Sequence, residues 1–389
     1  MKNQQIIDEI NEIFENIIEI RRTIHRNPEL SFKEYETSEF IQKRLDSLDV
    51  KYDVYDTGVI AHIGNGDRCI ALRADMDALP IEEETGLEFS SANPGVMHAC
   101  GHDMHTAMLL ATAEILKKNE DGLKGKIKLV FQPGEETIPG GASILLEKGA
   151  LDNPAPEAIF GQHINPGEIA GKISIASGPV MASADEVYIN VKGKGSHAAQ
   201  PHIGNDPVLA ASHLVQYIQT FLTKFRNPIN PGVISITTVH GGSAANIFPD
   251  VVKLSGTMRS FDFEWREKIH NLLREKIPVL CSLYNCDAEV EIRKGYPPLI
   301  NNAETSEKAR SLAIDLLGEE NVMDFEPKMW AEDFAYYAQK MPGTFWFLGV
   351  RPEEMELMPP LHNAKLNPVE DAMKNGIGMF VKVAFDYFK

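Results

Sequence analysis

The sequence predicts an α/β protein in which a mixed, largely parallel sheet flanked by helices is interrupted by an inserted, smaller α+β domain. Three observations lead there. The chain has 389 residues, more than one ordinary core organises, because single cores stop growing at roughly 250–300 residues. Short apolar runs alternate with helix-period segments in its first part, the pattern of a parallel sheet with crossover helices. After Ser177-Gly178-Pro179 the order becomes strand, helix, strand, strand, helix, strand, which describes a small open sheet with two helices on one face. The expected boundaries are 1–182 with 297–389 for the main domain and 183–296 for the insertion.

The elements follow in order. Apolar residues at Ile6, Ile10, Ile13, Phe14, Ile17, Ile18 and Ile24, with acids between them, give a surface helix laid on a core. Strands are expected at Cys69–Leu72, Ile127–Phe131 and Ala158–Phe160, each running into a polar cluster: R-A-D-M-D, Q-P-G-E-E and G-Q-H. Thr106–Lys118 is rich in strong helix formers. In the insertion, strands are expected at Glu186–Lys192, Val233–His240, Val251–Arg259 and Ala288–Lys294, with helices at Pro207–Thr223 and Glu264–Ser282. The main domain then resumes with a helix at Ser306–Leu317 and a strand at Phe345–Leu348. In parallel sheets ligands gather at the carboxyl ends of strands, so the polar clusters are expected to share one edge.

Composition excludes several functions. Hydrophobic residues make up 43% of the chain, and 56 Asp and Glu against 38 Lys and Arg leave a formal charge of -18. A nucleic-acid partner needs basic patches, so none is expected. No run approaches the roughly 18–20 apolar residues of a membrane span, and the first helix has a mostly acidic polar face, so no membrane partner is expected either. The N-terminus lacks a signal-peptide core. The cysteines Cys69, Cys100, Cys281 and Cys286 form no disulfide framework, and a reducing cytoplasm fits them best.

The densest chemistry lies in Met97-His98-Ala99-Cys100-Gly101-His102-Asp103-Met104-His105. Cys100 and His102 flank Gly101, and on a tight turn a thiolate and an imidazole at this spacing can converge on a borderline cation such as zinc. A buried thiol beside a capping or core histidine is the plain alternative. A zincin helix is not, because His98 is followed by Ala99 where H-E-x-x-H needs glutamate, and Gly101 interrupts the turn. Gln132-Pro133-Gly134-Glu135-Glu136 places two carboxylates at a strand end, where a cation would let one ligate and the other take a proton from water; two solvated glutamates in a turn are the alternative. His163 and His362 add imidazoles where loops meet the core. Cys100, His102, Glu136, His163 and His362 are thus five candidate ligands, more than one structural zinc uses and suited to two ions sharing a ligand.

In order along nearly the whole chain, H-A-C-G-H-D-M-H, F-Q-P-G-E-E, G-Q-H, G-x-G-S-H-A-A-x-P-H and L-H-N resemble the two-domain dinuclear amidohydrolases of the aminoacylase and carboxypeptidase superfamily. More narrowly, they resemble its branch of N-acyl-amino-acid amidohydrolases, hippurate hydrolases, N-acetyldiaminopimelate deacetylases and auxin-conjugate hydrolases. The resemblance implies a catalytic domain with a lid or dimerisation-type insertion and two divalent metals of the zinc, manganese or cobalt kind. It assigns Cys100, His102, Glu136, His163 and His362 as ligands and Glu135 as general base. Asp75 stands where the broader superfamily has a ligating histidine, so that older scheme does not transfer, and Asp77 and Asp103 are expected to orient ligands. In the insertion, His197 is expected to stabilise the oxyanion, in its own or a partner's site, with a helix-capping loop as the alternative. Asn246 and Arg259 resemble substrate-side positions. Arg259 suits a carboxylate, with a surface ion pair as its alternative. The expected substrate is a small acyl-amino acid or short peptide, hydrolysed at its amide bond; a homo-oligomer is compatible. The alternatives are a dipeptidase or carboxypeptidase on the same scaffold, and a metal-dependent binding protein, which would not need Glu135. A serine hydrolase is set aside for lack of G-x-S-x-G.

Overall fold

The computed structural model describes residues 1–389. Two compact units emerge: Met1–Val180, Ile300–Glu326 and Asp333–Lys389 form the first, and Met181–Leu299 with Pro327–Glu332 the second.

The first unit is built on an eight-stranded mixed sheet. Its strand order is Lys51–Tyr55, Gly58–Ile63, Lys126–Gln132, Cys69–Asp75, Ala158–Ile169, Gly343–Arg351, Ile173–Ile175 and Val322–Asp324. The four central strands pair in parallel, while Lys51–Tyr55, Gly58–Ile63 and Lys126–Gln132 pair antiparallel. Strands covered on both faces read as continuous apolar runs, and Cys69–Asp75 is buried at every position, Arg73 and Asp75 included. Asp75 pairs across from Gln132, and Arg73 from Gly161. The carboxyl ends of these strands therefore bring Asp75, the Q-P-G-E-E turn and His163 to one edge.

Helices Asn3–Arg26, His102–Lys118 and Met373–Asp386 pack on one another. The first buries Ile6, Ile10, Phe14, Ile17, Ile20 and Ile24; Ile13 and Ile18, expected on the core stripe, are only partly buried, at its margins. Two expectations shift in ways that matter for the site. Helix His102–Lys118 starts a turn before Thr106 and is buried on nearly every side, so His102 is its first residue and not part of the preceding loop. Strand Ala158–Ile169 continues far past Phe160, so His163 lies inside a strand, where sequence reading put it after one.

The second unit has a four-stranded antiparallel sheet in the order Gly232–His240, Val251–Ser260, Asp185–Lys192, Asp287–Lys294. Helices Pro207–Lys224 and Phe263–Ser282 complete it. Asp206 caps the first helix by accepting from Val208 N and Leu209 N, and Asp262 caps the second by accepting from Trp265 N. Alternate residues of the central strand, Val187, Ile189 and Val191, meet Leu214, Ile218, Phe221, Ile269, Leu273 and Ile277 in a core of their own, leaving the other sheet face more open.

Candidate metal centre

Gly101 decides where the donors start. It has φ +82, and a Cβ there would run into the Ile164 side chain, so only glycine fits both the left-handed backbone and the close approach. The chain turns there from Cys100 into the helix that begins at His102, bringing both against the strand that carries His163. Cys100 Sγ lies 3.3 Å from His163 Nε2. The other ring nitrogen of His163 donates to the Ile164 carbonyl at 2.8 Å, which leaves the Nε2 lone pair facing the thiol. His102 follows the same logic, with Nδ1 donating to the Asp77 carbonyl at 2.9 Å and lying 3.2 Å from Asp77 Oδ1.

Glu136 is placed by Asp77 as well: Asp77 Oδ2 accepts from Glu136 N at 3.0 Å and from the Ser31 hydroxyl at 2.6 Å. Glu136 Oε1 is 3.2 Å from His362 Nε2. His362 itself adopts φ +62, uncommon for a residue with a side chain, and is held by its N–H donating to the Ala99 carbonyl at 2.8 Å. Donor atoms fall into groups with all members within 4.8 Å of one another: Cys100, His102 and His163; Cys100, Glu136 and His362; His102, Glu135 and Glu136. Cys100 is common to two of these groups. Glu135 and His163 are buried, whereas the His362 side chain is about half exposed.

The electrostatics fit divalent cations. His102 Nε2 is buried with no hydrogen-bond partner, and its nearest carboxylate oxygens are Asp75 Oδ2 at 3.7 Å and Glu136 Oε1 at 3.9 Å. Burial lowers the His102 pKa, but Asp75, Asp77 and Glu136 outweigh it and lift the ring to about 10. Burial, reinforced by Glu136, Glu135 and Asp75, pushes the Cys100 thiol well above its ordinary range. A thiol among carboxylates is a poor anion by itself; a bound cation reverses that balance and makes the same donor set favourable.

Several residues behind these donors escaped sequence reading. Asp75 is no free ligand, because Oδ2 accepts from Arg73 at 2.6 Å and Oδ1 from His105 Nδ1 at 2.6 Å. His105 Nε2 in turn accepts from Ile164 N at 2.9 Å, tying the carboxylate to the strand beside His163. Arg73 also donates to Gln132 and to Asp333, and Asp333 accepts from Ala142 N. Asp333, within Trp330-Ala331-Glu332-Asp333-Phe334, is fully buried, its carboxylate accepting from Arg73 and Gln132. Asp103 was expected to orient a ligand. It instead lies 2.7 Å from Arg21 Nε and 2.8 Å from His25 Nδ1, since one step along the helix from His102 turns a side chain by about 100°. It anchors the helix start to Asn3–Arg26.

In the second unit, strand Ser196–His197 pairs with Ile247–Phe248, His197 opposite Ile247. Ala198 N donates to the Asn246 carbonyl at 2.9 Å, so two residues distant in sequence come together. The exposed His197 ring accepts from Ala199 N at Nδ1, at 3.1 Å, which puts its proton on Nε2 in the neutral form. Arg259 lies near the end of strand Val251–Ser260, where burial lowers its pKa and Asp185 and Glu186 oppose that.

Residues 71–386 match the model of peptidase family M20/M25/M40. Thermostable carboxypeptidase 1 of Saccharolobus solfataricus is 39% identical over 380 residues, covering 96% of this chain and 95% of that protein. N-acetyl-L-cysteine deacetylase of Bacillus subtilis is 41% identical over 337 residues, 86% of this chain and 80% of that one. Among solved structures, a dinuclear metal-binding M20 peptidase of Bacillus subtilis is 34% identical, with a TM-score of 0.84 over 96% of this chain and 98% of its own. With family motifs, fold and converging donors in agreement, the chain belongs to peptidase family M20/M25/M40, a family of metal-dependent amidohydrolases and peptidases.

Proposed function

We propose that the protein hydrolyses the amide bond of N-acyl amino acids, releasing a carboxylic acid and a free amino acid. The observation that carries this reading is the buried Glu135 in one donor group with His102 and Glu136, all within 4.8 Å: a carboxylate for proton transfer beside a carboxylate for ligation. Two divalent ions held by Cys100, His102, Glu136, His163 and His362 would polarise the scissile carbonyl and make water a stronger acid. Glu135 takes the proton of the attacking water and returns it to the departing nitrogen. His197 donates from Nε2 to the carbonyl oxygen as negative charge develops on it. Arg259 holds the substrate carboxylate with its planar fork, and Asn246 contributes a polar contact on the same substrate side.

The acyl specificity is favoured by the 41% identity to a deacetylase, and a carboxypeptidase reading by the 39% identity to a thermostable carboxypeptidase. The two separate in a hydrolysis panel of N-acetyl amino acids, N-benzoyl amino acids and dipeptides after reconstitution with zinc, manganese or cobalt. N-acyl amino acids should give the highest kcat/KM. Faster turnover of substrates bearing a free amino terminus would contradict the reading. On the best substrate, His197→Ala should retain metal and lose on the order of 10²–10³-fold in kcat, the scale of a lost oxyanion donor; an unchanged kcat would remove His197 from the chemistry.

A further inference from the structure

The turn that carries Glu135 and Glu136 is held from behind by the loop Ser31-Phe32-Lys33-Glu34. Glu34 has no exposed surface. Its Oε1 accepts from Gly134 N at 2.8 Å and from Phe32 N at 2.9 Å, and its Oε2 accepts from the Thr57 hydroxyl at 2.8 Å. Gly134 has φ +61, and a Cβ there would run into the Phe32 ring. Phe32 itself has φ +63, a backbone state that a bulky residue holds only when its surroundings enforce it. At the other end of the turn, Ser31 donates to Asp77 Oδ2, the oxygen that also accepts from Glu136 N. One short loop thus reaches the residue before Glu135 directly and the residue after it through Asp77.

We infer that Glu34 is a positioning residue for hydrolysis: by accepting the Gly134 N–H, with Phe32 wedged against Gly134, it fixes the turn that aims Glu135 and Glu136. A buried carboxyl group is a costly choice for a merely structural anchor, since an apolar side chain would fill the same space without desolvating polar atoms. Three donors converge on it, and one of them, Gly134 N, belongs to the turn that bears Glu135 and Glu136, while Phe32 N and the Thr57 hydroxyl hold the carboxyl group in place to receive it. Burial and the nearby Asp77 raise the Glu34 carboxyl to about 7, so both protonation states are accessible near neutrality. What the turn uses is the reach of the acceptor oxygen. The inference rests on the division of roles between Glu135 and Glu136 stated above.

Two substitutions separate reach from charge. Glu34→Gln keeps the length and one acceptor oxygen for Gly134 N, while its amide nitrogen faces Thr57, whose hydroxyl can rotate to accept. Glu34→Asp keeps the carboxylate but draws it back by a methylene. With the zinc-reconstituted enzyme on the best N-acyl amino acid, Glu34→Gln should stay within about threefold of wild-type kcat, with the same pH profile. Glu34→Asp should lose on the order of 10²-fold in kcat, the scale of an ångström's misplacement, with KM little changed. Calorimetric titration of zinc into the apoprotein should show weaker binding for Glu34→Asp only. Wild-type kcat and zinc affinity in Glu34→Asp would overturn the inference. So would a Glu34→Gln enzyme as impaired as Glu34→Asp, because charge would then be the property in use. Should Glu34→Asp melt too early to assay, Phe32→Ala at its partly exposed position frees the turn without touching the carboxyl group; it should lower kcat about tenfold, and an unchanged kcat overturns the clasp. If the wild-type protein itself shows no metal-dependent hydrolysis, the reading of the site fails, not this inference about its support.

Discussion

Glu135 and Glu136 are chain neighbours in different surroundings, and the proposed division of their work follows that difference. Glu136 has its N–H held by Asp77 and its Oε1 3.2 Å from His362, so its loss should empty a cation site. Glu135 is buried and shares a donor group with His102 and Glu136, the place that the proposed function gives to the proton carrier. Glu135→Gln should therefore keep its metal and lose about 10²-fold or more in kcat, whereas Glu136→Gln should lose metal in elemental analysis; the reverse pattern would exchange the two roles. These candidate donors stand out in the sequence because soft and hard ligand types crowd into short motifs, and the fold brings them together. Arg73, Asp75, His105 and Asp333 were not read as a unit. Their partners lie up to 260 residues apart, and nothing local marks a buried ion pair. Asp103 misled for a related reason: adjacency to His102 suggested a shared task, while helix geometry sends it to Arg21 and His25.

Among the elements, the second unit was the most legible part of the chain. Its strands bury one face and its helices one stripe, so the alternation and the helical period are clean, and the caps Asp206 and Asp262 mark where helices begin. In the first unit, His102–Lys118 is buried almost all round and Ala158–Ile169 buries both faces; full burial erases the periodicity that fixes ends. The second unit also carries the clearest pH-linked element. Asp185 at the start of a central strand accepts from Arg266 at 2.9 and 2.6 Å and from His270 at 3.1 Å. Burial raises the Asp185 pKa, but these bonds prevail and hold it below the usual carboxylate range. A depressed carboxylate pKa stabilises the fold above its unfolded value, and that contribution disappears as the pH falls below about 4 and through the folded value. Asp185→Asn should cost about 3–5 kcal/mol at neutral pH by leaving Arg266 buried without its counterion, and it should flatten the acid limb. Hydrogen exchange in Asp185–Lys192 and Asp287–Lys294, read from pH 7 towards pH 3, measures both; wild-type protection throughout would show that the pair contributes nothing.

For the whole molecule, the decisive quantity is the dependence of one activity on bound cations. No helix is long and apolar enough to cross a membrane, and the charge of -18 disfavours polyanionic partners, so what distinguishes the chain is a concentrated, largely buried set of thiol, imidazole and carboxylate donors. Family membership supplies metal dependence in general, whereas the particular set of Cys100, His102, Glu136, His163 and His362 is a property of this chain to be measured. The most direct measurement is hydrolysis of the best N-acyl amino acid by protein stripped with a chelator, verified metal-free by elemental analysis, then titrated with zinc, manganese or cobalt. The account predicts no turnover in the stripped protein and full recovery as two ions per chain are bound, with Glu136→Gln failing to reach two. Full activity in the verified metal-free protein would contradict it.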